Sequence, residues 1–314
     1  MNIIDEFELE KYALGVSYIE GQSIRPSIDF CEEVSAFADH GNQLMGTELP
    51  WDKTKNCTRL GAGKLSVWAG SNGSGKSLLV GQVMTSAMVK ENQKVVIASL
   101  EMQPKQTLYR MICQSATCKA SRDYSIAWLQ KFKDQLWIYD QLNKVATDKI
   151  CDVVHYSANV LKADHIVIDS LTKCGVGRED YTAQAAFIDR LQWLAKTLDI
   201  HIHLVCHMRK SNVPGHIENK NDIRGAAEIS DLADNVFIIA RNKIKEKELS
   251  RQRDGLDYDE QKITNQACTS LSVQKNRDYG MEDNYGLWYE PESGIFKSSE
   301  NERIAPLEVS DNGR

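Results

Sequence analysis

The chain has 314 residues, and its 38 Lys and Arg residues against 44 Asp and Glu residues give a formal net charge of −6. With 42% hydrophobic and 26% charged residues, the composition is that of a folded globular protein and excludes disorder along the whole chain. The acidic balance also excludes a uniformly basic nucleic-acid binder, although positive charge can still be concentrated in one segment.

The first 63 residues are weakly patterned and are interpreted as an arm before the main domain. The amphipathic stretch from Phe30 to Ala38 predicts one short helix, which the polar segment His40-Gly41-Asn42 would end. We expect such a helix to act as a linker that docks on a neighbouring subunit.

From Lys64 onward, short apolar runs alternate with longer segments of helical period. This alternation is typical of a mostly parallel sheet with helices on both faces, so the predicted fold class is α/β. The runs of strand length are 64–69, 95–100, 135–140, 165–169 and 200–206. The predicted helices are 77–91, 104–116, 145–162 and 182–198.

The pattern changes after residue 206. A polar loop (207–223) precedes a strand at 235–240, and the highly charged segment 241–267 is interpreted as a solvated arm. Strands are predicted at 269–274, 287–290 and 294–297, and the last two are expected to form a hairpin. The sequence therefore predicts a motor domain at 64–297 with a C-terminal antiparallel extension, and a loose, polar tail at 298–314.

The strongest motif follows the first predicted strand and opens the first long helix, and it fits G-x-x-x-x-G-K-[ST] at every fixed position. Its residues are Gly70, Ser71, Asn72, Gly73, Ser74, Gly75, Lys76 and Ser77. Glycines let consecutive backbone N–H groups surround phosphates, and the helix N-terminus adds its dipole. Lys76 is expected to reach the β- and γ-phosphates, and the Ser77 hydroxyl to ligate Mg²⁺. The alternative is a Gly- and Ser-rich turn without a ligand, but the strand and helix on either side favour a nucleotide site.

Two acidic residues at strand ends are the candidate partners of this loop. Asp169 ends the run 165–169 and is predicted to hold Mg²⁺, although an Asp there could also cap the next segment. Glu101 follows the run 95–100, which is expected to adjoin the strand of the phosphate loop. Glu101 is therefore a candidate general base facing the γ-phosphate, whereas by itself it could be a plain surface acid.

Four further segments, together with the motifs above, resemble DnaB-family replicative helicases of superfamily 4, over about residues 45–297. They are Ser99-Leu100-Glu101-Met102, Leu204-Val205-Cys206-His207, the pair 222–227 and 233–236 (DIRGAA and ADNV), and Val273-Gln274-Lys275-Asn276-Arg277. The resemblance extends to Twinkle-type helicases and to the helicase half of phage primase–helicases. Those proteins carry His at the position of His207, where bacterial DnaB typically has Gln.

The resemblance implies a RecA-like P-loop NTPase fold and a hexameric ring with ATP, or another NTP, bound between neighbours. It implies that Glu101 and Lys76 act in the same subunit, with His207 as the γ-phosphate sensor. Lys275 and Arg277 would reach into the neighbour's site as trans fingers. It also implies that Arg241 and Tyr289 flank the nucleotide base. Residues 1–63 are too short for the helical, zinc or primase domains of the family, so no priming activity is expected.

The loop after His207 is the candidate contact with single-stranded DNA. Between residues 208 and 224 it has four basic and two acidic residues, a local charge of 4 − 2 = +2. In the implied ring, six copies would line the channel and bind phosphates, with Gly225 letting the backbone approach the strand. The segment has no aromatic residue, so little sequence preference is expected. From composition alone it could be an ordinary surface loop. The predicted DNA-binding residues are Arg209, Lys210, Lys220, Arg224 and Gly225.

Metal, disulfide and membrane functions are not indicated. His201 and His203 alternate on one strand face beside His207, but no carboxylate or thiolate pattern completes a metal site. The eight cysteines include no C-x-x-C pair, which predicts reduced intracellular thiols. No signal-type segment or apolar run of ~18 residues occurs, so we expect a cytoplasmic protein, in a bacterial or phage-infected cell or an organelle, without membrane contact.

The leading hypothesis is a ring-shaped, ATP- and Mg²⁺-dependent DNA helicase that translocates on single-stranded DNA during replication. Primase, polymerase or loader proteins are its candidate partners. One alternative is a RecA- or RadA-like recombinase or mediator that binds DNA without unwinding it. Another is a regulatory P-loop ATPase that has only protein partners.

Overall fold

The computed structural model describes residues 26–39, 45–55, 57–177, 179–209, 217–225 and 227–309. The predicted helix end at 40–42 and the predicted DNA contact Lys210 lie outside these residues. Every helix in the described part of the chain is too short or too polar to cross a membrane.

The helices and strands follow the predicted alternation. The strands are β1 (Thr47–Glu48), β2 (Arg59–Leu60), β3 (Lys64–Gly70), β4 (Val95–Ser99), β5 (Leu136–Tyr139), β6 (His165–Asp169), β7 (His201–His207), β8 (Asn235–Arg241), β9 (Thr269–Asn276), β10 (Asp283–Glu290) and β11 (Ile295–Lys297). The helices are α1 (Cys31–Asp39), α2 (Lys76–Glu91), α3 (Pro104–Ala116), α4 (Arg122–Lys131), α5 (Thr147–Asn159), α6 (Tyr181–Leu198), α7 (Glu228–Leu232) and α8 (Lys243–Arg253).

The main sheet has nine strands in the order β11-β10-β9-β8-β3-β7-β6-β4-β5. Strands β3 to β8 run parallel, and β9, β10 and β11 extend the sheet antiparallel. The predicted α/β fold, with its parallel centre and antiparallel C-terminal extension, is therefore confirmed. The C-terminal ends of β3, β4, β6 and β7 lie along one edge of the sheet, since parallel strands that are paired in register end together.

Both faces of the sheet are buried because successive side chains of β3 enter opposite apolar cores. Leu65 and Val67 pack in a core with residues of α5 and α6, whereas Trp68 packs in a core with residues of α2 and α3. Trp68 also stacks on Phe237 of β8, with ring centroids 4.1 Å apart. This two-sided burial explains why the strand segments are continuous apolar runs rather than alternating ones.

The charged segment after β8 is not a solvated arm as predicted, because it begins with helix α8. Asn242 caps this helix by accepting a hydrogen bond from the backbone N–H of Lys245 (3.0 Å). Lys245 and Glu248 are buried, and they bind Gln266 O and the backbone N–H of Asp259 respectively. The segment therefore folds back on itself, and its charge density alone could not show this.

The C-terminal tail was predicted to be loose but is bound over α3 and α4 as far as it is described. The backbone N–H of Leu307 donates to Ser115 O (2.8 Å), and the Tyr124 hydroxyl donates to Leu307 O (2.9 Å). Helix α4, which carries Tyr124, was not predicted. Leu307 and Val309 add apolar contacts to the core on that face.

Three histidines form a buried network below the candidate site. His203 Nδ1 accepts from Trp68 Nε1, and His203 Nε2 lies 3.0 Å from His165 Nδ1, whose other nitrogen meets Thr47 Oγ1 at 3.1 Å. Because an indole N–H only donates, His203 must carry its proton on Nε2 and donate to His165. The chain of donors and acceptors is consistent only with neutral rings.

His201 completes this network with a fixed tautomer. Its Nδ1 lies 2.6 Å from Gly61 O, an atom that only accepts, and its Nε2 lies 2.7 Å from Ser66 Oγ. All six ring nitrogens of the three histidines are thus bonded within the protein, which leaves none for a metal ion. Burial lowers the pKa of His201 to about 4, and it lowers the pKa values of His165 and His203 well below the usual value.

We expect the fold to lose stability in mild acid. In the unfolded chain the histidines take up protons below pH ~6.5, whereas in the folded chain they stay neutral. The free energy of unfolding should therefore fall as the pH drops from ~6.5 towards 4, by roughly 3 kcal/mol for His201 alone. Urea titrations between pH 7.5 and 4.5 measure this fall.

The variant His201→Asn is the matched control for this titration. Its side-chain amide can still donate to Gly61 O, but it does not titrate, so the pH dependence should become shallower. A free energy of unfolding that stays constant over this pH range would contradict the neutral network.

Candidate active site

The loop from Gly70 to Ser77 connects β3 to α2, and neighbouring groups fix its backbone. A side chain on Gly70 would lie 2.3 Å from Ile239 O, so only glycine fits there. Gly75 has a φ of 92° and lies against the ring of Phe296. The predicted phosphate loop thus has the strand–loop–helix context that its motif requires.

The Lys76 side chain folds back into this loop. Its Nζ donates to Gly70 O and to Ser71 O, both at 2.9 Å, and the residue is buried. Burial lowers the pKa of Lys76, and the nearby carboxylates of Asp169 and Glu101 oppose that shift. The ammonium group therefore lies in the loop, at the place where a phosphate-binding lysine is needed.

Asp169 ends β6 beside the first turn of α2. Its carboxylate is hydrogen-bonded to the side chain of Ser77. Burial raises the pKa of Asp169, while the Ser77 bond and the charge of Lys76 lower it. The two residues predicted to hold Mg²⁺ are thus in contact, and a hydroxyl with a carboxylate is a donor pair suited to this ion.

Glu101 is held by three side chains that all reach one of its oxygens. Oε1 accepts from Ser170 Oγ, from Thr172 Oγ1 (2.9 Å) and from His207 Nε2 (3.1 Å). The hydrogen bond from His207 is the main reason that the pKa of Glu101 is lowered to about 2, and burial opposes it. Glu101 is therefore ionised at neutral pH, and it links β4 to the end of β7.

The strand before Glu101 was predicted to adjoin the strand of the phosphate loop, and this was wrong. Strands β7 and β6 lie between β3 and β4. Glu101 still belongs to the same edge because β3, β7, β6 and β4 are paired in parallel register. Its bond to His207, on the strand next to β3, brings it back towards the loop.

The residues predicted to flank the base lie beside the phosphate loop. Arg241 Nη1 donates to Gly73 O (3.2 Å), and Arg241 also pairs with Glu246 in the first turn of α8. The ring of Tyr289 lies 5.2 Å from that of Phe296, which in turn contacts Gly75. Arg241 thus touches the loop directly, whereas Tyr289 is one ring away.

Lys275 and Arg277 lie far from the phosphate loop of their own chain. Strand β9 runs antiparallel to β8, so Lys275 pairs with Val236 near the start of β8, whereas Arg241 ends it. Five residues of strand separate these positions, which corresponds to roughly 17 Å. The structure therefore does not bring Lys275 and Arg277 together with Lys76.

The sequence model for the DnaB-like helicase C-terminal domain matches residues 53–298, which is most of the chain. The chain belongs to this family. It is therefore an ATP-dependent helicase of the DnaB-like replicative type, and its phosphate loop binds the nucleotide. No curated protein sequence matches it.

Solved structures of two such helicases share its fold. One is an isolated ATPase domain, with a TM-score of 0.70 at 15% identity, over 87% of this chain and 99% of that one. The other, described as a DnaB-like replicative helicase and its interactions with primase, has a TM-score of 0.64 at 15% identity, over 87% of this chain and 67% of that one. At this identity the likeness shows the fold alone.

The candidate DNA loop of this helicase is closed at its base by a short antiparallel neck. Met208 and Ile223 form a β-bridge, and the backbone N–H of Arg209 donates to Asp222 O (2.8 Å). Arg209 Nη2 donates to Gly225 O (2.9 Å), so this guanidinium holds the neck together. Arg224 is exposed at the same place.

Gly225 does not have the open backbone that was expected for contact with DNA. It is buried with a φ of 128°, and a side chain there would lie 2.4 Å from Gln184 Oε1 and 2.6 Å from Ile229 Cδ1. Glycine is thus required by packing within the helicase. Sequence could show that glycine was needed, but not which neighbour needs it.

Lys220 is bound to the finger strand rather than pointing freely into solvent. Its backbone N–H donates to Gln274 Oε1 (2.6 Å) and its Nζ donates to Gln274 O (3.2 Å). Glu218, two residues earlier, accepts a hydrogen bond from Ser71 of the phosphate loop. The returning half of the DNA loop thus touches both the nucleotide site and β9.

Sequence reasoning missed three side chains of this site. Ser170 and Thr172 directly follow the strand that ends in Asp169, and their hydroxyls were a readable signal for bonds to an acid at the same sheet edge. Glu218 had no such signal, since an acid in a polar loop looks like any surface acid.

We expect Lys76→Ala to lower the rate of NTP hydrolysis by at least ~10²-fold, because it removes the cation inside the loop. Lys90→Ala is the matched control, since Lys90 is exposed at the far end of the same helix. A steady-state phosphate-release assay compares the two variants. If Lys76→Ala turned over at the rate of the Lys90→Ala control, the assignment of this loop would be refuted.

Proposed function

We propose that this helicase works as a homo-hexameric ring that hydrolyses NTP at subunit interfaces and moves along single-stranded DNA. One observation carries the proposal: Lys275 and Arg277 lie at the end of the sheet opposite their own phosphate loop. The residues that complete a hydrolysis site are thus divided between two ends of one subunit. A head-to-tail arrangement, which closes into a ring, brings the two ends together.

Within one subunit, the loop and its neighbours suit a magnesium–nucleotide complex. The buried hydroxyl of Ser74 lies in the loop without a hydrogen-bond partner among the described residues, as expected of a group that binds phosphate. Ser77 and Asp169 would hold Mg²⁺, which neutralises the phosphates when bound. Lys76 would leave the loop carbonyls to bind the terminal phosphates.

Glu101 would orient the attacking water. Its carboxylate is fixed through Oε1, so Oε2 remains to accept a hydrogen bond from a water molecule. A pKa of about 2 makes Glu101 a weak base, so its role is to orient and polarise the water more than to hold a proton. His207 would sense the γ-phosphate, since a shift of Glu101 towards the water would weaken the bond that joins them.

The DNA path would run through the loop that follows His207. Arg224 is exposed, and Arg209, Lys210 and Lys220 add positive charge at the base and on the returning half of this loop. Six copies around a channel would bind phosphates of single-stranded DNA with little sequence preference. The negative net charge of the chain does not oppose this, since the contact depends on one loop.

Candidate protein partners are primase, polymerase and loader proteins. One of the two solved helicase structures is described together with its interactions with primase, which concern that protein. For this chain, a primase is the partner to test first.

We expect single-stranded DNA to stimulate hydrolysis, and the protein to displace an annealed strand only when it also hydrolyses NTP. A hydrolysis assay with and without DNA, a strand-displacement assay and electron microscopy test this together. Closed six-fold rings without DNA support the proposal. Open, DNA-dependent filaments without strand displacement would instead indicate a recombinase or mediator, and a rate indifferent to DNA would indicate a regulatory ATPase.

We expect Arg277→Ala to bind nucleotide normally but to lose at least ~10³-fold in hydrolysis rate, because the lost cation belongs to the neighbour's site. Mixing it with Lys76→Ala protein should restore hydrolysis above the mean of the two separate proteins. Arg253→Ala, which removes an exposed arginine of α8, is the control for a lost positive charge. A mixture that shows no gain would count against a role in trans.

A further inference from the structure

The two finger side chains do not project freely but are bound to the end of α7. Lys275 Nζ donates to Ser230 O (3.0 Å) and to Asp231 O (2.6 Å). Arg277 Nη2 donates to Asp231 O (3.1 Å), and its Nη1 donates to Asp234 Oδ1 (3.1 Å). Of these acceptors, the Asp234 oxygen is the only side-chain atom, and it carries a charge.

Asp234 is itself held rigidly. Its other oxygen, Oδ2, accepts from the backbone N–H of Leu65 (3.0 Å), and its own backbone N–H donates to Leu65 O (2.8 Å). Its backbone carbonyl accepts from the N–H of Arg277 (2.9 Å). The side chain is 3% exposed, so its charge requires the donors of Leu65 and Arg277. This carboxylate is thus a fixed point between β3 and the finger.

The geometry leaves most of the Arg277 guanidinium available. An arginine has five N–H donors, and two of them are used on Asp234 and Asp231, so three remain. The side chain is 42% exposed although it is anchored. Anchoring on one side therefore orients the plane of the guanidinium without consuming the donors that a phosphate would need.

We propose that Asp234 is a positioning residue for the trans finger, holding Arg277 so that its remaining donors meet the terminal phosphate in the neighbouring subunit. This rests on the proposed function, in which Arg277 acts between subunits. The sequence resemblance had placed Asp234 in the DNA-facing segment, whereas its carboxylate is bonded to Arg277 and to Leu65.

The same contacts connect the finger to the DNA loop. Helix α7 begins three residues after Gly225, and its last carbonyls hold Lys275 and Arg277. Asp234 follows α7 directly and fixes where that helix ends relative to β3. A change in the Asp234 contact should therefore alter finger geometry while the nucleotide pocket of the same subunit stays intact.

The test is Asp234→Asn, which keeps an oxygen acceptor and the size of the side chain but removes the charge. We expect the maximal rate of DNA-stimulated hydrolysis to fall roughly ten- to hundredfold, with nucleotide affinity unchanged. Asp278→Asn is the matched control, because Asp278 is next to Arg277 in sequence but pairs with Lys64. Its rate should stay within about twofold of the unaltered protein, as for other exposed ion pairs.

Two further readouts separate a positioning role from a structural one. In the double variant Asp234→Asn/Arg277→Ala, the rate should equal that of Arg277→Ala alone, because Asp234 then has no finger to position. Mixing Asp234→Asn with Lys76→Ala should raise hydrolysis above the mean of the separate proteins, since each subunit retains the part that the other lacks. Mixed Arg277→Ala and Lys76→Ala proteins serve as the reference.

The outcomes distinguish this inference from the proposed function. If the reference mixture gains activity but the Asp234→Asn mixture does not, or if the two losses multiply in the double variant, Asp234 does not act through the finger. If neither mixture gains activity, the trans arrangement itself fails. Should Asp234→Asn not fold, Asp234→Ser repeats the test, and failure of both to fold would show a structural role and overturn the proposal.

Discussion

The parallel register of the central strands is the constraint on which the rest of this molecule depends. Because β3, β7, β6 and β4 are paired in parallel and end together, the groups that follow them lie along one edge of the sheet. The phosphate loop, His207, Asp169 and Glu101 all come from such strand ends. These residues are far apart in sequence, and no local structure would bring them together. The buried histidines further down β6 and β7 reinforce the register, since they bond across neighbouring strands.

Charges of opposite sign are fixed at this edge before any nucleotide binds. Lys76 lies inside the loop, while Asp169 and Glu101 are near enough to shift its pKa. Three donors converge on a single oxygen of Glu101, so the carboxylate keeps both its charge and its direction. Preorganised groups of this kind act on a developing charge without having to reorganise during the reaction. The family's chemistry therefore has its local counterpart in side chains that are already oriented.

Much of this could be predicted from the sequence, and the failures have physical reasons. The apolar runs and the phosphate-loop motif identified the parallel core, because burial on both faces and phosphate binding each restrict residue types locally. The strand order could not be inferred, so Glu101 was assigned to the wrong neighbour of β3. Charge density suggested a solvated arm, yet Lys245 and Glu248 of α8 are buried. The partners of Gly225 and Asp234 depend on tertiary packing, which leaves no mark in their own neighbourhood along the chain.

The reversal of chain direction between β8 and β9 makes every subunit two-ended, with the phosphate loop at one end and the basic pair at the other. An isolated subunit then has the pocket for a nucleotide but lacks the cations that complete the site. Hydrolysis by such a protein depends on assembly, so its specific activity rises with protein concentration until rings are complete. A free subunit in the cell would hold nucleotide without consuming it. The direction of one strand thus acts as a safeguard against idle turnover.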